Sequence, residues 1–209
     1  MMRSAVIRYN TLCFRAIARF CSSTKSPSTQ ISELNAGNVY GGEKCCPLAF
    51  ETFKSWHEVV NVGVTDKPDA KLLEVAANKF ANHVDKKVVF SPPTYFKPWV
   101  GRDEFITIIS CVGEVFGKSF TYGRQWLSPD GREWALEFSA NIADSGKTLN
   151  GMDVVKLDEN GKIVDFYVIA RPPNAVAELK KEMMARVPQR MIKMKANKTK
   201  KLATDFFFG

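Results

Sequence analysis

Histidine and cysteine are scarce in this chain, two and five among 209 residues. The cysteines, Cys13, Cys21, Cys45, Cys46 and Cys111, lack the paired spacing of a disulfide framework or a zinc site, so reduced thiols and no bound metal are expected. Cys45 and Cys46 have no activating base near them in sequence, which argues against a reactive thiol. There is no glycine-rich phosphate loop, so neither nucleotide nor other cofactor is expected. No stretch approaches the roughly eighteen apolar residues of a membrane span, which argues against a transmembrane helix. Acids are also missing from one end, where none precedes Glu33.

That end carries arginine instead. Arg3, Arg8, Arg15 and Arg19 are set among apolar residues and followed by a Ser/Thr-rich stretch. An Arg-rich, acid-poor amphipathic segment has the form of a mitochondrial transit peptide, expected over 1–21 with the matrix as destination. A disordered basic tail and a chloroplast address are the alternatives. The formal charge is +8, but 1–32 carry +5 and 180–209 carry +7, which leaves −4 on 33–179. The basicity sits at the ends and the body is mildly acidic. Residues 22–45 are polar and Gly-rich and read as a disordered linker, 46–187 as one domain, and 188–209 as a basic tail.

Within the body, Pro47 can open a helix because its missing N–H would be unpaired there anyway. Phe53, Trp56 and Val60 recur along it at helical spacing until Gly63. Asp66 or Asp69 can cap a second helix over 70–83, with Leu72, Leu73, Ala76 and Phe80 inward. A short strand ends in Ser91-Pro92-Pro93, and the aromatic, proline-broken loop after it is placed to cover a cavity mouth. A third helix carries Phe105, Ile108, Ile109, Val112 and Phe116 on one stripe. Phe53, Phe80, Phe105 and Phe116 are most simply core. From Ser119 the period becomes two, and four strands are expected to meander into one antiparallel sheet covered by the three helices, an α+β arrangement. A last helix, capped by Asn174 and carrying Val176, Leu179, Met183 and Val187, should end at Pro188.

The hairpin over 149–173 organises the rest. Asp153, Val155 and Leu157 share one strand face, and Val164, Phe166, Val168 and Ala170 share the matching face of the second arm. Asp158-Glu159-Asn160-Gly161 is the turn, with Gly161 free to take positive φ. Asp153 breaks the apolar pattern. A carboxylate there is costly unless hydrogen-bonded or protonated, so it is either a structural anchor or a working group.

Helix, helix, a strand ending in Ser-Pro, the Gly101-Arg102-Asp103 helix start, the meander, Gly161-Lys162-Ile163 and Arg171-Pro172 together resemble the SnoaL-like branch of the nuclear-transport-factor-2-like superfamily, over 47–187. The resemblance implies a cone-shaped, curved antiparallel sheet over three helices with a deep apolar pocket, here with an extra C-terminal helix. It implies dimerisation through the outer sheet face, and members that include isomerases, cyclases, dehydratases and hydrolases beside proteins of no known chemistry. It places Asp153 where ketosteroid isomerases keep a protonated Asp that donates to the substrate oxygen. It places Ser91 at those enzymes' general base and Trp56 at their first-helix tyrosine. Serine cannot take up a proton at neutral pH, and indole donates one hydrogen bond without serving as acid or base.

Two functions are open. In the first, an apolar cavity with Asp153 as catalytic acid, and Trp56, His57, Ser91, Phe138, Val155 and Phe166 around it, binds a small hydrophobic carbonyl or polyketide-like ligand for isomerisation, cyclisation or dehydration. Burial among Val155, Phe166 and Phe138 would raise the Asp153 pKa, whereas in a structural role it would accept from Trp56 or backbone. In the second, the domain is a non-catalytic dimerisation or assembly module whose basic tail contacts RNA or anionic lipid, with Phe206, Phe207 and Phe208 as a docking end. Glu137 and Arg171 are expected on the convex side or at a dimer contact.

Overall fold

The computed structural model describes residues 38–208. The expected transit peptide and residues 22–37 of the expected linker lie outside the described residues, as do the side chains of Phe206, Phe207 and Phe208.

Helix α1 (Pro47–Gly63) starts at proline as expected, with Cys46 as its cap accepting from the Ala49 N–H at 3.4 Å. Helix α2 (Ala70–Phe80) is capped by Asp69, whose carboxylate accepts from the N–H groups of Lys71 and Leu72. Its buried face is Leu73, Ala77 and Phe80, whereas Leu72 is 60% exposed. A stripe at i, i+4, i+7 from Leu73 leaves no room for its neighbour Leu72 on the same side. Helix α3 (Arg102–Phe116) buries Phe105, Ile108 and Phe116 as expected, together with Ile106 and Cys111.

The sheet is larger than the expected meander. Strands β4 (Thr121–Leu127), β5 (Glu133–Asn141), β6 (Thr148–Leu157) and β7 (Ile163–Arg171) do run antiparallel in turn. At one edge β2 (Val84–Ser91) joins β7 in parallel and β3 (Trp99–Val100) follows it; at the other, β1 (Asn38–Gly41) joins β4 in parallel. The order is β1-β4-β5-β6-β7-β2-β3 in one curved, unclosed sheet. The stretch read as linker therefore contains a strand, whose Tyr40 ring stacks on Trp126.

Helix α4 (Pro173–Phe208) does not end at Pro188. Proline there removes one N–H and so one bond to the carbonyl four residues earlier, a cost of about 3 kcal/mol. Packing beyond it offsets that cost: Met183 and Met191 are buried on either side, and Arg190 reaches Glu114 of α3 at 2.6 Å. Lys193 meets Glu74 at 3.8 Å, and Lys198 meets Asp103. Part of the basicity assigned to a free tail is thus turned onto α2 and α3.

The core lies between the inner sheet face and the helices. Phe166 packs on Trp56, Phe90 and Phe105 with ring centroids 5.1 to 5.9 Å apart, and Phe53 meets the Trp134 edge at 5.1 Å. The Thr52 hydroxyl donates to the Gly161 carbonyl at 2.6 Å, tying α1 to the β6–β7 turn. Gly161 has φ +70°, and the Leu48 backbone occupies the space a Cβ would need.

Candidate active site: a buried carboxyl in an apolar cavity

A cavity of about 630 Å³ opens between the sheet, α1, α3 and α4. That volume suits a drug-sized molecule. Phe138, Phe166 and Val168 of the sheet, Trp56 of α1 and Ile109 and Val112 of α3 give its wall an apolar character. The outward turn of Ile109 and Val112 from the α3 stripe serves this wall. Pro92, Pro93, Tyr95 and Trp99 contribute from the loop expected at the mouth, and α4 crosses the same opening with Leu179, Met183, Val187 and Met191. Loop and helix are joined there, since the Lys180 ammonium sits 5.0 Å from the Tyr95 ring centroid and the Tyr95 hydroxyl meets the Met184 sulfur.

Asp153 lies on the inner face of β6, opposite Leu136 and Val168, and is 6% exposed. It lines the cavity. Its Oδ2 accepts from the Tyr122 hydroxyl at 3.0 Å, and the Tyr122 oxygen in turn accepts from Trp56 Nε1–H at 2.7 Å. An indole N–H can only donate and a phenol has one proton, so the direction of this chain is fixed. Oδ1 has no hydrogen-bond partner among the described residues. Burial raises the Asp153 pKa to about 7, against the opposing pull of the Tyr122 hydrogen bond. Burial and the neighbouring Asp153 charge push the Tyr122 phenol well up, so it keeps its proton. Near pH 7 the carboxyl is therefore shared between its forms, and when protonated its O–H belongs on Oδ1, since Oδ2 is already accepting.

The other expected site residues divide. Trp56, Phe138 and Phe166 surround Asp153 in the cavity wall. Val155 is buried one inward position along β6 and does not reach the cavity. Ser91 is outside the wall, because Phe90 takes the inward side and strand side chains alternate. His57 also faces away, packed at 2.9 Å from the Phe53 carbonyl and 2.9 Å from the Gln125 amide. Burial lowers its pKa, so the ring is neutral. With Nδ1–H donating to Phe53, Nε2 is left as an acceptor, which requires the Gln125 amide to present its NH2. The structural role foreseen for Asp153 involved Trp56 directly, but Tyr122 stands between them. Among the described residues no three His, Cys, Asp or Glu gather as a metal group, and no helix is long and apolar enough to cross a membrane.

No family model matches this chain, and no curated protein does. Solved structures do. A steroid delta-isomerase from Pseudomonas aeruginosa is 30% identical, with a TM-score of 0.60, over 71% of this chain and 97% of that one. A protein with a cystatin-like fold from Silicibacter pomeroyi is 34% identical, with a TM-score of 0.54, over 69% and 92%. The chain belongs to the SnoaL-like, nuclear-transport-factor-2-like superfamily. This SnoaL-like domain thus keeps an acid on the inner sheet face, supported by tyrosine and tryptophan. Tyr122, the link between them, had no signal beyond an aromatic residue on a strand. On the outer face, Glu137 forms a two-bond ion pair with Arg124, at 2.8 and 3.0 Å, and Arg171 is exposed.

Proposed function

We propose that the cavity binds a small, largely apolar carbonyl compound and that Asp153, protonated on Oδ1, donates a hydrogen bond to the carbonyl oxygen. The observation that carries this is a buried acid with one oxygen held by Tyr122 and the other left unpaired at the cavity wall. A hydrogen bond there stabilises an enol or enolate more than the ketone, because negative charge develops on that oxygen. Isomerisation, cyclisation or dehydration without a metal would all use it. Similarity to a steroid delta-isomerase along nearly all of that protein's length favours the first of these. We place the protein in the mitochondrial matrix on the strength of its Arg-rich, acid-poor first residues.

The test is affinity for a bicyclohexyl ketone against pH, followed by fluorescence of Trp56 and Trp99 in the wall. A hydrogen bond worth about 1 kcal/mol makes binding roughly fivefold weaker as pH rises through about 7 and Asp153 ionises. Asp153→Asn should bind without that pH dependence. Equal affinity of the natural protein at pH 6 and pH 8.5 would remove Asp153 from the reading.

The assembly reading keeps one favourable observation. Val154, Tyr167 and Ile169 are 38, 48 and 54% exposed on the outer face, with Val154 directly opposite Tyr167 across the β6–β7 pair. Such a patch suits a homodimer through the sheet. An RNA or anionic-lipid contact would fall to the basic stretch of α4 beyond Pro188, of which Lys193 and Lys198 are turned onto Glu74 and Asp103.

A further inference from the structure

Two charged side chains in the cavity wall, Glu104 and Lys195, are not accounted for by the fold. Glu104 stands in the first turn of α3, where an acid complements the helix dipole. Its neighbour Asp103 already does this, and is itself held by Arg102 at 3.9 Å and by Lys198. A glutamate at the third helical position can also close a capping box on the cap residue's N–H. Here that N–H, of Gly101, donates to the Val88 carbonyl at 2.9 Å. Glu104 has neither an ion pair nor a hydrogen bond among the described residues. Its carboxylate folds over the bare Cα of Gly101, where any Cβ would collide with it.

Lys195 belongs to the turn of α4 that the Asp103–Lys198 pair sets against this first turn of α3. Lys193 is held by Glu74 and Lys198 by Asp103, yet Lys195 has no partner among the described residues and lines the cavity. A carboxylate only accepts and an ammonium only donates. A hydroxyl does both, taking a hydrogen bond from Lys195 on its oxygen and giving its own proton to Glu104. An amine would be repelled by Lys195, and an acid by Glu104.

The distance from Asp153 follows from the strand order. From β6 through β7 and β2 to β3, which leads into Glu104, there are three strand steps. At about 4.8 Å each these make about 14 Å across the sheet, and the register sets Val100 level with Lys156, about 10 Å along the strand from Asp153. Less the inward reach of both side chains, the two sites stand on the order of 15 Å apart, a span that the ketone and its two terminal hydrogen bonds fill together. We infer that Glu104 and Lys195 form a hydroxyl-binding subsite at the outer end of the cavity, selecting an elongated apolar ketone that carries a hydroxyl at its far end. This rests on the proposed pairing of the carbonyl with Asp153.

The experiment compares two probes, a bicyclohexyl ketone with and without a hydroxyl on the far ring, against the full chain by fluorescence titration. A hydrogen bond to a charged partner favours the hydroxylated ketone by about tenfold. Glu104→Leu and Lys195→Met should each reduce that preference to about twofold or less, read as the ratio of the two affinities in each variant, so that any change in the apolar contacts the two ketones share cancels. Asp153→Leu should weaken both probes alike and keep the ratio. Equal binding of the two ketones to the natural protein overturns the subsite while the carbonyl reading stands. Failure of both to bind overturns the subsite together with the reading beneath it.

Discussion

Replacing Asp153 by Asn isolates what it costs to bury this carboxyl. Between the ordinary value of 3.8 and about 7, the folded protein holds a proton on Asp153 that the unfolded chain has released. Stability therefore falls as pH rises through that window, because the folded state binds more protons. At about 1.4 kcal/mol for each pH unit, the loss accumulates to roughly 4 kcal/mol and is complete above pH 7. That is a large share of the 5 to 15 kcal/mol typical of a domain. Asparagine can accept the Tyr122 hydrogen bond through its carbonyl and has nothing to ionise. Any penalty from its NH2 is the same at every pH. Asp130 and Glu137, whose pKa values are lowered to about 2 by Ser128 and Arg124 hydrogen bonds respectively, act in both proteins and cancel in the difference. Urea unfolding of the two proteins, measured at intervals from pH 4 to pH 8.5, should show the variant gaining on the natural protein by about 4 kcal/mol and then levelling. Two parallel curves would mean that Asp153 titrates like a solvated carboxyl, and the proposed chemistry would lose its basis.

Tyr122→Phe removes the donor to Asp153 and strands the Trp56 N–H, so it should cost about 1 to 3 kcal/mol of stability. Because the Tyr122 hydrogen bond holds the Asp153 pKa down, its loss should also move the pH midpoint of ketone binding upward. For the proposed dimer, Val154→Lys with Ile169→Lys should convert a sedimenting dimer into a monomer that keeps the far-UV circular dichroism of the natural protein, since both side chains lie on the outer face rather than in the core. A natural protein that sediments as monomer at any concentration would remove the outer-face contact.

Asp153 was legible because strand period two left a carboxyl on a face of Val155, Leu157 and Phe166, and burial of those neighbours follows from the same pattern. His57 and Gln125 were not legible as a pair. Between Tyr122 and Gln125 the register of β4 against β5 slips by one residue, so that Tyr122, Gln125 and Leu127 point inward where strict alternation would place Arg124 and Trp126. Strand β1 pairs with residues more than eighty positions away through only four of its own, too few to display a period. Helix α4 crosses Pro188 through contacts with α3, which local rules about proline do not contain. What escaped the sequence is what depends on the partner segment: a bulge, a parallel edge, a helix held from outside.

The same dependence bears on whether Asp153 is an anchor or an acid. An anchor here has one task, to accept a hydrogen bond from Tyr122, and an amide or a backbone carbonyl accepts it equally well without ionising. A carboxyl in this place lowers stability at neutral pH by several kcal/mol and, through Oδ2, adds no bond that an amide could not make. Its distinctive property is a proton on Oδ1 that can be given up near neutrality, at the wall of a cavity whose apolar lining makes such a proton a strong donor. The aromatic packing around Phe166 and Trp56 supplies the stability against which that cost is carried, in the same wall that leaves Asp153 only 6% exposed. The features that make Asp153 poor as structure are therefore those that the proposed hydrogen bond to a carbonyl oxygen requires.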